Sequence, residues 1–372
     1  MSPKGFLALA LATIVSVGLA AYAVANRDVP VAQTRLDRPF LPELAGRVAD
    51  VARITVRTAA GSMTARRTEE GWVLEEKGDY PVDLDKVRAL VLGLAQMRLI
   101  EAKTRDPERL SRLELEPVDA EDAKSREVIL AATDGTVLAD VVIGKRKFSL
   151  YGPGKSGSYV RLADANQAWL ADRALDVPEE ALDWFDRTIL SLPRKDVAEV
   201  ILRPGTPEEL RIERTGADND AFALAEVPEG RKVEESKPPM LAGTLGNITM
   251  LDVVTAAEKP LPEDAAIARF IAFDGLEIET RVAVFGEGED AEYWVAFTAR
   301  EGRPRERPAA DNGDAPAGET EKAAEQPETP LAERVAALQK RLENRVFKVS
   351  PYLAKRLMWK LEDLLQKPPS AS

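Results

Sequence analysis

Short runs in which apolar and polar side chains alternate recur along this chain, and a period of two is the mark of a half-buried strand. Ile54 and Val56 stand in the first run, residues 63–67 hold a second, and Trp72 and Leu74 a third. The period then lengthens. Val87, Leu90, Val91 and Leu94 share one face of a predicted helix, with Asp83 placed to cap its first turn. After a polar connection, residues 128–132 and 137–143 predict a hairpin turned at Asp134-Gly135, followed by strands at 159–162 and 167–170. The second half predicts strands at 200–202, 210–214 and 222–224, a helix around 240–251, and strands at 270–273, 276–285 and 293–297. Hairpins with a helix packed on one face describe an α+β fold.

The order of these elements suggests two tandem copies. Residues 50–57 return as 196–203 with four of eight positions identical, and 94–101 is echoed by 245–252. Asp134-Gly135 recurs as Asp274-Gly275, and Tyr159-Val160 as Trp294-Val295. The first α+β repeat is expected over 48–192 and the second over 193–300 plus 331–366. Residues 301–330 hold five prolines, many charges and almost no large apolar residue. Such a stretch cannot bury enough surface to offset its ordering entropy, so a disordered insertion is expected there, with a tail at 367–372. Beyond the insertion, Leu331, Val335, Leu338 and Leu342 mark a helix under two heptads long. Packing on its own domain is its default role, and binding a partner its alternative.

One segment breaks the pattern. The run 5–25, opening on Gly5 and closing on Ala25, carries no charge and is long enough to cross a bilayer once. One N-terminal transmembrane helix is therefore expected, followed by a proline-containing stalk at 27–47. A cleaved signal segment is the alternative, because Ala21, Ala23 and Ala25 offer small-x-small cleavage patterns. Arg27, Arg35 and Arg38 against Lys4 mildly favour a cytoplasmic body, although large domains translocate largely regardless of flanking charge.

Composition narrows the chemistry. The 372 residues include no histidine and no cysteine, which excludes Ser-His-Asp and Cys-His catalysis and ordinary zinc sites. With 63 acidic against 51 basic residues the net charge is −12, which repels a phosphate backbone and argues against nucleic acid as a partner. No cofactor, no metal and no enzymatic activity are expected. Asp119, Glu121, Asp122, Asp183 and Asp186 could serve a carboxylate hydrolase by residue type only, since no spacing singles out a pair. Gly154-Lys155-Ser156 lacks the first glycine of a phosphate-binding loop, Ser149 standing there, and precedes a strand rather than a helix. Lys145, Arg146 and Lys147 form a candidate anion-contact loop beside it. Trp72, Trp169, Trp294 and Trp359 read as core residues, and Trp184-Phe185 as a candidate domain interface at the junction of the copies.

Several of these residues carry a family likeness. Gly71-Trp72-Val73-Leu74, then Pro81-Val82-Asp83 before a leucine-rich helix, then Arg112-Leu113-Glu114-Leu115-Glu116-Pro117, Ile143-Gly144 and Ser158-Tyr159-Val160 together resemble the bacterial domain of unknown function 4340 (DUF4340). The likeness covers most of 48–190 and, more faintly, the second copy. It departs where the family often has Gly-Leu before an acidic residue and proline, here Glu114-Leu115-Glu116-Pro117. The resemblance implies an accessory of ABC-type exporters of the gliding-motility kind. Such a protein would be anchored in the inner membrane through residues 5–25, with its body in the periplasm beside a permease and ATPase. A stand-alone module binding envelope polysaccharide or a small ligand is the alternative.

Overall fold

The computed structural model describes residues 36–150, 154–218, 221–308 and 329–366. The run 5–25 lies outside them, and among the described residues no helix is long and apolar enough to cross a membrane. In chain order the first strands are β1 (Arg38–Pro39), β2 (Val51–Thr58), β3 (Gly61–Thr68), β4 (Gly71–Leu74) and β5 (Tyr80–Pro81). Helix α1 (Leu84–Ala95) follows, then β6 (Arg98–Ala102), β7 (Arg126–Ala132), β8 (Val137–Lys147), β9 (Gly157–Leu162) and β10 (Trp169–Ala171). Next come β11 (Thr188–Leu190), β12 (Val197–Leu202), β13 (Leu210–Arg214) and β14 (Phe222–Leu224), and then α2 (Lys237–Ala242). After it stand β15 (Ile248–Thr249), β16 (Asp252–Thr255), β17 (Ala266–Ala272), β18 (Leu276–Phe285) and β19 (Glu292–Glu301). The chain closes with α3 (Leu331–Leu342), β20 (Arg345–Val349), α4 (Pro351–Leu357) and α5 (Leu361–Leu364).

Antiparallel pairing dominates, which makes this an α+β protein. A ten-stranded sheet has the order β1-β6-β10-β9-β8-β7-β2-β3-β4-β5, and an eight-stranded sheet the order β14-β13-β12-β17-β18-β19-β20-β16. Strands β11 and β15 form a separate pair. By contact density the chain divides into two compact units. One holds the residues up to Val51, Arg57–Gly61 and Ala89–Val177; the other holds Ala52–Val56, Ser62–Arg88 and everything from Pro178 on. These boundaries cut across the repeat limits expected from the sequence, because the β3–β5 segment groups with the C-terminal half.

Local sequence explains most elements. The Asp83 carboxylate accepts the Asp85 backbone N–H at 2.9 Å, the cap expected for α1. Val87, Leu90, Val91 and Leu94 are all buried. Gly135 takes a φ of 84° at the β7–β8 turn, a left-handed conformation that costs glycine little. Every residue of β12 is buried, as suits a strand with neighbours on both sides. Its one charge, Glu199, is held by Arg211 at 2.5 Å and Arg305 at 3.4 Å, which offsets part of the cost of taking a carboxylate out of water.

Three expectations need correction. Residues 36–47, expected as stalk, pack instead: Phe40, Leu41 and Leu44 are buried and β1 pairs with β6, because these apolar side chains have a surface to bury against. The helix expected around 240–251 is only α2 and a short 3₁₀ turn. Gly243 and Gly246 weaken a longer helix, and Ile248–Thr249 joins β11 as a strand. Residues 301–307, expected within the disordered insertion, hold fixed partners instead. Glu301 ends β19, and Arg305 donates its backbone N–H to the Phe273 carbonyl at 2.8 Å. The Arg307 guanidinium lies 4.6 Å from the Phe273 ring centre. Residues 309–328 are outside the described set.

Glu292 gives the C-terminal sheet an acid-sensitive ion cluster. It accepts from Lys348 at 2.6 Å, Trp294 Nε1 at 2.9 Å and Lys259 at 3.1 Å, and these donors, Lys348 first, hold its carboxyl at about 2 against an ordinary 4.5. A pKa lowered by folding stabilises above the unfolded value and is lost on acidification. Thermal melts should therefore lose this contribution between pH 4.5 and about 2. Glu292→Gln should flatten that part of the stability profile; an unchanged profile would remove the cluster from the account.

Candidate functional site

The turn between β4 and β5 sets up a cleft within the unit that contains residues 62–88 and 178 onward. Gly78 and Asp79 both take left-handed conformations, with φ of 59° and 56°. A Cβ on Gly78 would fall 2.2 Å from Thr255 Cγ2, so the close approach requires glycine here. The turn delivers Tyr80 to the interior, edge-on to Phe185 at 4.8 Å and to Phe347 at 5.9 Å between ring centres. Asp83 donates its backbone N–H to the Trp184 carbonyl at 2.8 Å, and Lys86 reaches the Asp183 carbonyl. Trp184 and Phe185, expected at a domain interface, are thus buried core residues of this unit, 0% and 2% exposed.

Trp72, Val73, Pro81 and Val82 form one wall of a cleft of about 380 Å³, and Ala337, Lys340 and Arg341 of α3 with Arg345 form the other. Glu70, Asp79, Asp83 and Asp186 complete its charged lining. The cations are held in place. Lys340 pairs with Glu70 at 2.9 Å. Arg341 donates through Nε to the Tyr80 hydroxyl and through Nη2 to the Asp186 carbonyl, each at 3.1 Å. Arg345 donates to the carbonyls of Lys340 at 3.0 Å and Asp79 at 3.1 Å and lies over the Tyr80 ring. Burial pushes its pKa down from the usual guanidinium range. The Thr188 backbone N–H holds the Asp186 carboxyl below its ordinary value.

That shift keeps Asp186 ionised at neutral pH. A half-exposed tryptophan beside fixed cations and carboxylates suits recognition of a polar, partly apolar surface. Among the described residues no group of three or more acidic side chains could hold a metal.

The other sequence candidates are placed elsewhere. Asp183 accepts the Glu180 backbone N–H at 3.1 Å and so caps a short 3₁₀ turn. Lys145, Arg146 and Lys147 are the last residues of β8 rather than a loop, since a register shift after Ile143 lets the strand run on. Trp294 is buried as expected, but Trp72 lies on the cleft wall because β4 is next to last in its sheet. Sequence reading missed the cleft. Its only linear trace was Lys340-Arg341 at the end of an amphipathic helix, far along the chain from Trp72.

In a comparison with family models the chain matches the domain of unknown function DUF4340 over residues 72–265, more than half of the chain. The chain belongs to the DUF4340 family. Among curated proteins none matches it. The DUF4340 match contains Trp72, Asp79, Asp83 and Asp186 of the cleft, whereas Lys340, Arg341 and Arg345 lie beyond it. It also contains two motif segments that meet in space. A Cβ on Gly144 would sit 2.1 Å from the Leu113 carbonyl and 2.8 Å from that of Glu114. Glu114 itself ends a 3₁₀ helix (Pro107–Leu113) with a φ of 57°. That is where the DUF4340 pattern often carries glycine, so Glu114 occupies a conformation that a side chain disfavours. Glu114→Gly should raise stability by up to about 1 kcal/mol, partly offset by the greater freedom of an unfolded glycine. A drop in melting temperature would contradict this.

Proposed function

We propose that this DUF4340 protein is a membrane-anchored extracytoplasmic accessory of an ABC-type export system, acting by protein contact rather than catalysis. On this reading residues 5–25 hold it in the inner membrane and the body works in the periplasm. The body is read as two tandem copies of one α+β plan. Supporting this, β6-β10-β9-β8-β7-β2-β3-β4 in one sheet corresponds strand for strand to β16-β20-β19-β18-β17-β12-β13-β14 in the other. The observation that carries the contact reading is the cleft, whose cations are held by the Glu70 carboxylate, the Tyr80 hydroxyl and backbone carbonyls before any partner arrives. Such preorganisation reduces the ordering cost of binding.

Affinity purification of the full chain from gently solubilised membranes tests the reading. A permease and ATPase should be recovered in near-equal amount with it. Trp72→Ala should lower that recovery roughly thirtyfold if Trp72 is a central anchor, since such residues contribute about 2 kcal/mol or more. Recovery of the chain alone would overturn the exporter assignment. Trp72 also favours a second reading, a stand-alone module for envelope polysaccharide, because a half-exposed indole on a cleft wall suits stacking on sugar rings. Binding of purified glycan by the full chain, lost in the same variant, would favour that reading instead.

A further inference from the structure

We propose that the end of the β8–β9 hairpin, formed by Lys145, Arg146, Lys147, Phe148 and Lys155, is a second contact with the bilayer, seated on an anionic lipid surface. Phe148 is 79% exposed, more than any other large hydrophobic side chain among the described residues. Basic residues surround it in a stretch where the chain departs from its own composition. No acidic residue occurs from 141 to 163, although the chain as a whole carries 63 of them. The Arg146 guanidinium lies 5.6 Å from the Phe148 ring centre, so cation and ring point together.

The neighbouring groups only partly neutralise this charge. Lys145 donates to the Arg112 carbonyl, and Arg146 donates to Ser156 Oγ at 2.9 Å, with the fully exposed Asp176 at 3.7 Å. Lys147 and Lys155 are exposed and have no ion pair among the described residues. An exposed phenylalanine gains by entering the headgroup boundary, and each cation beside an anionic leaflet adds about 1 kcal/mol, or roughly fivefold. The net charge of −12 opposes contact with the same surface, so a local cationic end would orient the body.

Strand register makes the contact reachable. Arg38 pairs with Leu99, Leu99 with Ala171, and Leu170 with Tyr159. The chain therefore enters its unit within a few residues of the row where Gly157 pairs with Lys147. The ten residues from 26 to 35 span at most about 35 Å, enough to bring that row to the membrane.

The proposal rests on the tether proposed above, and the experiment separates the two. The chain lacks cysteine, so Ser149→Cys in the full-length protein accepts one environment-sensitive fluorophore. The labelled chain is placed in lipid nanodiscs of phosphatidylcholine alone or with phosphatidylglycerol. In anionic discs the emission should shift to the blue and be quenched by quencher-bearing lipid, and neither should occur in neutral discs. Lys147→Ala and Lys155→Ala should each weaken the contact about fivefold. A label at Thr136→Cys, beside the opposite turn, should stay aqueous throughout. Aqueous emission from position 149 in anionic discs overturns the proposal. So does equal burial in neutral discs, or displacement by inorganic phosphate, which would mark a free-anion site. If the chain fails to remain with the discs, the tether is wrong, and the label is then read on added anionic vesicles with the same criteria.

Discussion

Alanine in place of Phe347 is expected to remove about 3–5 kcal/mol of stability, the range for truncating a buried aromatic. Phe347 lies in β20 and is wholly buried. Its ring meets Tyr80 edge-on at 5.9 Å and Phe297 at 6.0 Å, and Tyr80 in turn meets Phe185 at 4.8 Å. Truncation therefore loses transfer free energy, leaves a cavity among the neighbouring rings, and removes aromatic contacts worth about 0.5–1.5 kcal/mol each. Tyr80 also bonds Arg341, so the cleft should loosen as the core does. Urea unfolding followed by tryptophan emission would show the loss, because Trp184 and Trp294 are buried in the same unit. Phe347→Leu should cost far less. A loss under about 1 kcal/mol for the alanine variant would mean this cluster is not the centre of the unit's core.

Gly144→Ala should be as damaging in the other unit, by addition rather than removal. The new methyl would meet backbone oxygens of Leu113 and Glu114 at 2.1 and 2.8 Å, and backbone cannot step aside as a flexible side chain does. Gly144 also supplies the carbonyl that Arg126 bonds at 2.9 Å. Overpacking ordinarily costs about 1–3 kcal/mol, and a contact this short against backbone belongs at or above the upper end. Limited proteolysis should show early cleavage near 107–118, where the 3₁₀ helix would be pushed off the sheet. Wild-type resistance in the alanine variant would show that this segment moves freely, against the packing described. Gly157 faces the same constraint, since a methyl there would lie 2.2 Å from the Ala171 carbonyl.

What could be read from the sequence was what depends on neighbours in the chain. Strand period put β13, β14 and β18 at their observed limits, because alternating burial is a local pattern that a sheet face only has to accept. Asp83 and Asp134-Gly135 marked a cap and a turn through bonds made within two residues. The family likeness was legible for a related reason. Gly144 keeps a close approach that leaves a trace in residue type, whereas Glu114, with its left-handed backbone, is where the likeness departs. The absence of histidine and cysteine excluded whole classes of chemistry by residue type alone.

The limits of that reading follow from the same physics. Residues 240–251 carried helical spacing, yet strand pairing with β11 took Ile248 and Thr249. Residues 36–47 looked like a stalk until Phe40, Leu41 and Leu44 found a surface. Lys145 to Lys147 became strand because β9 offered a partner. The cleft depended most on tertiary structure, since Trp72 and Arg341 stand more than 260 positions apart. Residue order determined the two-period, the caps, the turns and the excluded chemistries, which arise between near neighbours. Only the folded chain decided which distant charges share a wall, because long-range pairing selects among local possibilities that the sequence leaves equally open.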